Sequence, residues 1–451
     1  MSRGIVRFMT KRVQKELPLS PNSCFLRVSR RELLSNAAAV PALAGTLFPF
    51  SAPAQAAEPG LMSQFVGGFP GPAADRKVVR IFLCGDVMVG RGIDQILPYP
   101  CSPQLHEDYV YSAIDYVRFA ERVSGSIPAP LNVAYIWGYA LNALRRKQPD
   151  ARIVNLETSI TRSEDYEAKG INYRISPENA ECLRAAAIDC CALANNHVLD
   201  WGRTGLLDTL DILRQMGIKT AGAGRNLHEA SAAAILNIPA KGRVVVASFA
   251  LRTSGVPSHW SATPETPGVN LLLDLSPRSI ASACDKLAKL RLANDLVIAS
   301  IHWGENWGYE IPDEQIRFAH ELIDRAGVCI VHGHSAHHVK ALEIYNNRLI
   351  LYGCGDFLND YEGIEGYDSF RGDLSIMYFA DIDATSGDLV ALEMVPLQIQ
   401  RFRLICASRK DAEWLAHMLD RECAPFNVGI RLDRNETLIA FWPVFSDSRV
   451  R

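Results

Sequence analysis

The chain has 451 residues, 48% of them hydrophobic and 22% charged, the make-up of an ordinary globular protein with room for one to three domains. Its formal net charge of −3 conceals a split: residues 1–56 hold eight Lys or Arg and two Asp or Glu, which leaves 39 basic and 48 acidic residues, a net charge of −9, in the remainder. A body this acidic argues against nucleic acid as a partner, because non-specific binding works by neutralising phosphates with Lys and Arg.

In chain order, the basic stretch through Arg31, the apolar run 37–50 and Ala54-Gln55-Ala56 have the layout of a secretory signal, with cleavage expected after Ala56. Ser29-Arg30-Arg31-Glu32-Leu33-Leu34 resembles a twin-arginine signal, which implies an exported protein in the periplasm or cell envelope. Pro41 and Pro49 break the apolar run, which is shorter than the ~20 residues a membrane anchor needs. A Gly/Pro/Ala-rich linker is expected to 77, and the folded domain over 78–451.

Strands are expected at 78–84, 151–156, 188–194, 219–221, 232–236, 244–249, 296–301 and 328–331, and helices at about 108–123, 131–147, 177–187, 202–216, 276–292 and 312–326. This alternation argues α/β architecture. Beyond 338 the texture is antiparallel, with a hairpin across Asn346-Asn347, strands at 374–382, 389–396 and 399–405, and a late helix at 408–423. The residues alone are read as one α/β/α domain with an antiparallel second sheet. Cys84, Cys190, Cys191, Cys329 and Cys354 lie in or beside the strand-like runs and are expected as small buried hydrophobes. No C-x-x-C pair suggests zinc or redox work.

Five polar clusters close these strands: Gly85-Asp86-Val87-Met88, Asn155-Leu156-Glu157, Asn195-Asn196-His197, His302-Trp303-Gly304-Glu305, and His332 to His338. Active sites of α/β sheets form in loops at the carboxyl ends of parallel strands. Carboxylate, amide oxygen and imidazole suit divalent cations. In a two-metal site Asp86 or Glu157 would bridge, and Asn155, Asn196, His302 and the late histidines would spread the charge. Taken singly, each cluster has an ordinary reading: a turn at Gly85-Asp86, a satisfied polar pair at Asn196-His197, a helix start at Glu157, a core histidine at His302. Four histidines in seven residues, of 11 in the chain, are harder to attribute to packing. Arg91 and Arg174 are candidates for binding an anionic substrate, or for structural ion pairs. Trp303 and Trp307 would wall the site or, more simply, pack in the core.

The runs Phe82-Leu83-Cys84-Gly85-Asp86-Val87-Met88-Val89-Gly90-Arg91-Gly92, Asn155-Leu156-Glu157-Thr158, Ala194-Asn195-Asn196-His197-Val198-Leu199-Asp200-Trp201-Gly202, Gly222-Ala223-Gly224, His302-Trp303-Gly304, Gly333-His334-Ser335-Ala336-His337 and Tyr352-Gly353-Cys354-Gly355-Asp356-Phe357 resemble the CapA family of capsule (poly-γ-glutamate) synthesis proteins over about 78–400. The family looks like a branch of the calcineurin-like metallophosphoesterases. The resemblance implies a four-layer α/β sandwich, mixed sheets flanked by helices, with a metal centre (Mn, Zn, Fe or Mg) at one end. Mapped on, Asp86 is the first-strand ligand, Glu157 the bridging carboxylate and Asn196 a further ligand that shares the catalytic role with His197, a general acid/base or phosphate-contacting residue. His302, one of His332 and His334 (His334 is preferred), and His337 rather than His338 complete the metal shell, and Arg91, Arg174 and Asn155 would contact substrate. The chain departs from the parent pattern at Met88, where Asp-x-His is usual; a thioether is a poor ligand for hard cations.

The function implied is an exported, metal-dependent hydrolase of amide or phosphoester bonds. It would act on poly-γ-glutamate, another anionic envelope polymer or a small anionic substrate, and associate with membrane-bound polymer synthesis machinery. The alternatives are a non-catalytic accessory that binds the polymer and a general periplasmic phosphoesterase.

Overall fold

The computed structural model describes residues 77–364 and 366–443; the expected leader and all but the last residue of the expected linker lie outside the described residues. Strands and helices alternate through most of the described chain, and the strands form two large sheets and two small two-stranded ones. In the first, β1 (Val78–Val87), β2 (Ala151–Leu156), β3 (Cys190–Ala192) and β4 (Lys219–Ala221) run parallel. The second is built from β5 (Ala234–Ile238), β6 (Gly242–Leu251), β7 (Asp295–His302), β8 (Val328–His334), β9 (Leu342–Tyr345) and β10 (Arg348–Leu351), with β6, β7, β8 and β10 parallel. The short β11 (Asp356–Leu358) returns to the first sheet beside β1.

The antiparallel strands expected to make a second sheet instead extend the first. β12 (Leu374–Asp383) pairs with β1 from Val78↔Asp383 to Leu83↔Tyr378, and β13 (Leu389–Ile399), β14 (Gly429–Leu432) and β15 (Leu438–Phe441) continue outward. Hydropathy can mark a strand but not its neighbour, and β1 had an unclaimed edge.

The layers follow from side-chain alternation along each strand. On β1, Val79, Ile81 and Leu83 face one way and meet Val244 and Val246 of β6 and Leu296 and Ile298 of β7 in a core between the sheets. Phe82 and Cys84 face the other way, under the helices α1 (Ala113–Ser124), α2 (Tyr139–Lys147) and α3 (Gly202–Gln215). Across the second sheet, Val245, Ala247, Val297 and Ala299 pack beneath α4 (Pro277–Leu290) and α5 (Asp313–Ala326). The result is the four-layer α/β sandwich. A last helix, α6 (Arg409–Cys423), covers the central layer where the first sheet outruns the second. Each fully buried Val, Leu or Ile contributes about 1.5–3 kcal/mol, so these three cores hold the layers together.

Three expected helices are shorter than read. The one at about 108–123 starts at Ala113. The one at 177–187 reduces to Glu181–Ala185, and the one at 131–147 breaks at Gly138, whose φ of 43° no ordinary helix residue adopts. A Cβ at Gly138 would lie 2.1 Å from Leu404 O, so the break lets the chain pass close beneath the first sheet. The buried cysteines are as expected: Cys84, Cys190, Cys191, Cys329 and Cys354 are all buried and unpaired.

A second close approach shapes the functional edge. A Cβ on Gly85 would sit 1.8 Å from Gly355 O, the carbonyl that accepts from Asp86 N at 2.9 Å. Gly85→Ala must therefore push β11 off β1. The expected result is a loss of about 1–3 kcal/mol, read as a lower urea midpoint; an unchanged midpoint would refute so tight an approach.

Candidate metal centre

Parallel pairing gathers the strand-end clusters at one edge. Asp86 sits opposite Asn155 on one side and Asp356 on the other, and His302 opposite His334. Asp86, Glu157, His302 and His334 are each at most 1% exposed. Ligand atoms of Asp86, His302 and His334 all lie within 4.8 Å of one another. His302 Nδ1 is 2.9 Å from His334 Nδ1, which is 3.7 Å from Asp86 Oδ1. On its other side His302 Nε2 is 3.0 Å from Asn196 Oδ1 and 3.7 Å from Glu157 Oε1. Donors about 2.1 Å from one cation stand about 3 Å or more apart, so these separations fit oxygen and nitrogen ligands around divalent ions. Glu157 lies between the two groups and also faces His197 Nε2 at 3.8 Å.

The electrostatics agree. Burial, reinforced by Asp356, pushes the Asp86 carboxyl up to about 7, and burial with Asp86 nearby raises Glu157. Burial holds His302 and His334 well below the usual imidazole range, and therefore neutral and able to donate a lone pair. A cation would relieve the carboxylates and use those lone pairs.

The four late histidines divide cleanly. His332 is turned inward, with Nε2 2.7 Å from Cys84 O and Nδ1 3.1 Å from Ser300 Oγ. His338 is occupied by backbone: Nδ1 is 3.1 Å from Val339 O, and Nε2 accepts from Gly308 N at 3.1 Å. His334 and His337 face the site. His337 Nδ1 is 2.9 Å from Asp356 Oδ1, whose other oxygen accepts from Asn359 Nδ2 at 2.8 Å. Burial alone would lower His337; the charge and hydrogen bond of Asp356 more than offset it.

The candidate acid/base has its own support. His197 Nδ1 is 2.6 Å from Asp200 Oδ2, and Lys169 Nζ is 2.7 Å from Asp200 Oδ1 and also donates to Asn196 O. Burial pushes His197 down to about 4 against the pull of Asp200.

The three residues expected to touch substrate are engaged within the protein. Asn155 donates to Asp86 Oδ1 at 2.7 Å and accepts from Asn195 Nδ2 at 3.0 Å, so it steadies a candidate ligand. Arg91 is 4% exposed and pairs with Asp360 at 2.6 Å and Glu107 at 2.8 Å, over the Tyr116 ring. Arg174 donates to Ser163 O and Glu164 and lies 3.7 Å over the Trp201 ring. Arg91 engages all three guanidinium nitrogens within the protein, whereas Arg174 is held through Nη1 and its buried Nη2 has no hydrogen-bond partner among the described residues. Trp303 packs in the core, donating to Tyr352 O, whereas Trp307 stacks on Tyr367 beside His337. Met88 is fully buried, its sulfur 3.7 Å from Tyr361 Oη.

Asp356 and Asp200 stand in the family motifs but have no role assigned from sequence, and Lys169 stands in none of them. Asp356 had a signal, since Gly355-Asp356 repeats the Gly85-Asp86 pattern. Asp200 stands three residues beyond His197, within reach of its ring. Lys169 lies in a loop with no pattern to mark it.

The histidines also set an acid limit. His197, His302, His332, His334 and His338 all have folded values below the ordinary 6.5. Their contribution is present above pH 6.5 and lost as pH falls toward 4, where His197, His332 and His338 titrate, up to about 3 kcal/mol each. The raised values of Asp86, Glu157 and His337 act the other way, their contribution being lost as pH rises, but they are fewer. Thermal melts in chelator are expected to show a steep fall in stability between pH 6.5 and 4; a flat profile would contradict this assignment.

Residues 80–361 match the family described as bacterial capsule synthesis protein PGA_cap. A Mycobacterium tuberculosis protein described as a probable polyglutamine synthesis accessory protein is 44% identical over 374 residues, 82% of this chain and 98% of the relative. The capsule biosynthesis protein CapA of Bacillus anthracis is 25% identical over 72% of this chain and 69% of its own length. The PGA biosynthesis protein CapA of Bacillus subtilis is 26% identical over 71% and 72%. With the strand-end constellation assembled on a four-layer sandwich, these matches place the chain in the CapA family of bacterial capsule synthesis proteins.

Proposed function

We propose that this protein acts in the synthesis or processing of poly-γ-glutamate or another anionic cell-envelope polymer, as an exported metal-dependent hydrolase of amide or phosphoester bonds. The observation that carries the reading is the convergence of Asp86, His302 and His334, flanked by Glu157 and Asn196, at one buried edge. The names of the relatives supply the polymer class. A divalent ion held there supplies Lewis-acid polarisation of the scissile group and of water.

The chain's own residues supply the rest. His197 is neutral at pH 7 and its Nδ1 is committed to Asp200, so its Nε2, on the Glu157 side, starts as a proton acceptor. Asp200 holds the ring and stabilises the charge it gains, and Lys169 fixes Asp200 in turn. Burial of the whole edge excludes bulk water and strengthens each of these interactions. The export reading rests on the basic, apolar and small-residue layout of 1–56.

A second reading, a non-catalytic accessory that binds and orients a carboxylate-rich chain, is favoured by Met88, whose thioether stands where the parent pattern has a ligating histidine. The word "accessory" in the name of the mycobacterial relative points the same way.

Elemental mass spectrometry and a turnover assay on γ-linked polyglutamate separate the two. The wild-type protein is expected to bind divalent metal that the double variant Asp86→Ala, His337→Ala loses. His197→Ala is expected to keep the metal while turnover falls about 10²–10⁴-fold. Absence of bound metal would sink the hydrolase. Full polymer-related function in His197→Ala would favour the accessory. Turnover confined to aryl phosphates would point to a general phosphoesterase.

A further inference from the structure

A line of hydrogen bonds crosses from the first sheet to the second and ends at the candidate centre. It starts at Cys84 O on β1, 2.7 Å from His332 Nε2 on β8. His332 Nδ1 is 3.1 Å from Ser300 Oγ on β7, and Ser300 Oγ is 2.8 Å from His334 Nε2. The register explains the spacing: Ser300 is the Cα partner of His332, and His302 of His334, on adjacent parallel strands. His332, Ser300 and His334 are all 0% exposed, so bulk solvent does not reach any member.

The proton positions follow from the donors and acceptors. A carbonyl oxygen only accepts, so His332 Nε2 carries a proton. Among the described residues no carboxylate is bonded to His332, and an uncompensated imidazolium in the interior would be costly. The ring is therefore neutral and Nδ1 is a lone pair. Ser300 gives its one hydroxyl hydrogen to that lone pair, and so faces His334 as an acceptor. His334 Nε2 must then be the N–H. What remains on His334 Nδ1 is a lone pair, and that atom lies 2.9 Å from His302 Nδ1 and 3.7 Å from Asp86 Oδ1.

We propose that the Cys84 carbonyl, His332 and Ser300 form a positioning relay that holds His334 in the Nε2–H tautomer and makes Nδ1 its cation-binding atom. Its role, though not its geometry, rests on the metal-centre reading. His332 and Ser300 act through His334 and need not touch the cation. Partners that fix the tautomer of a ligating histidine raise its basicity and lock its orientation.

The test uses the full chain with Ser300→Ala and Ser300→Thr. Affinity for zinc and manganese is measured by competition with a chromophoric chelator, and melting is followed in EDTA. Ser300→Ala is expected to bind metal about 10–100-fold more weakly, and Ser300→Thr, which keeps the hydroxyl, to restore binding. Wild-type affinity in Ser300→Ala would overturn the relay, as would a Ser300→Thr variant that folds but binds no better than Ser300→Ala. Nitrogen-15 spectra of the metal-free wild type decide the point even where Ser300→Ala does not fold or the wild type binds no metal. The relay requires His334 protonated on Nε2, and a proton on Nδ1 overturns it. Failure of the wild type to bind metal, with that tautomer present, counts against the metal centre and not against the relay.

Discussion

The buried carboxylate of Asp86 is the constraint on which the functional edge depends. It is fully buried between Asp356 and Glu157, the arrangement of like charges that an interior resists most strongly. Much of the surrounding structure answers that cost. Asn155 donates to one oxygen and the Ser335 backbone N–H to the other. His337 takes up the charge of Asp356. His302 and His334, held neutral by burial, add no positive charge and keep one ring lone pair each. A cation would relieve such a set, which is what makes this edge a candidate metal centre.

A second buried charge supports this edge from outside. Arg91 lies four residues past Val87, the end of β1, and is met by Asp360, just beyond β11, and by Glu107. Removing one member of a buried pair leaves its partner uncompensated, and costs far more than the pair contributes. Arg91 also sits over Tyr116 and Tyr173, and Tyr173 packs edge-on against His197 at 4.5 Å. The arginine that suggested substrate recognition thus ties together side chains beside the candidate centre. Asn155, also expected at the substrate, donates to Asp86 Oδ1.

The histidine run shows how one motif divides its work. His332 and His338 spend both ring nitrogens on the protein, while His334 and His337 each spend one on a positioning partner and face the site. The partners differ: a hydroxyl for His334, a carboxylate for His337. That asymmetry gives the two rings opposite coordinating nitrogens if both are ligands. It also makes the connection between His332 and Cys84 a direct tie between the sheets at the edge where the centre lies.

The sequence by itself determined the alternation of strands and helices, the burial of the cysteines and the clusters at the strand ends. These depend on local period and on the polarity of the residue that follows an apolar run, both of which a linear chain displays. It also carried the family motifs from Gly85-Asp86 to Gly355-Asp356. Tertiary structure alone decided that β12 and β13 join the first sheet, which partners Arg91 and Arg174 meet, that Asp356 and Asp200 hydrogen-bond histidines, and which late histidines line the candidate edge. Each of these rests on partners brought together by folding. Cys84 and His332 are 248 residues apart, Arg91 and Asp360 are 269. A hydrogen bond at that separation leaves no periodic trace in the chain, because its geometry exists only once both sheets have formed.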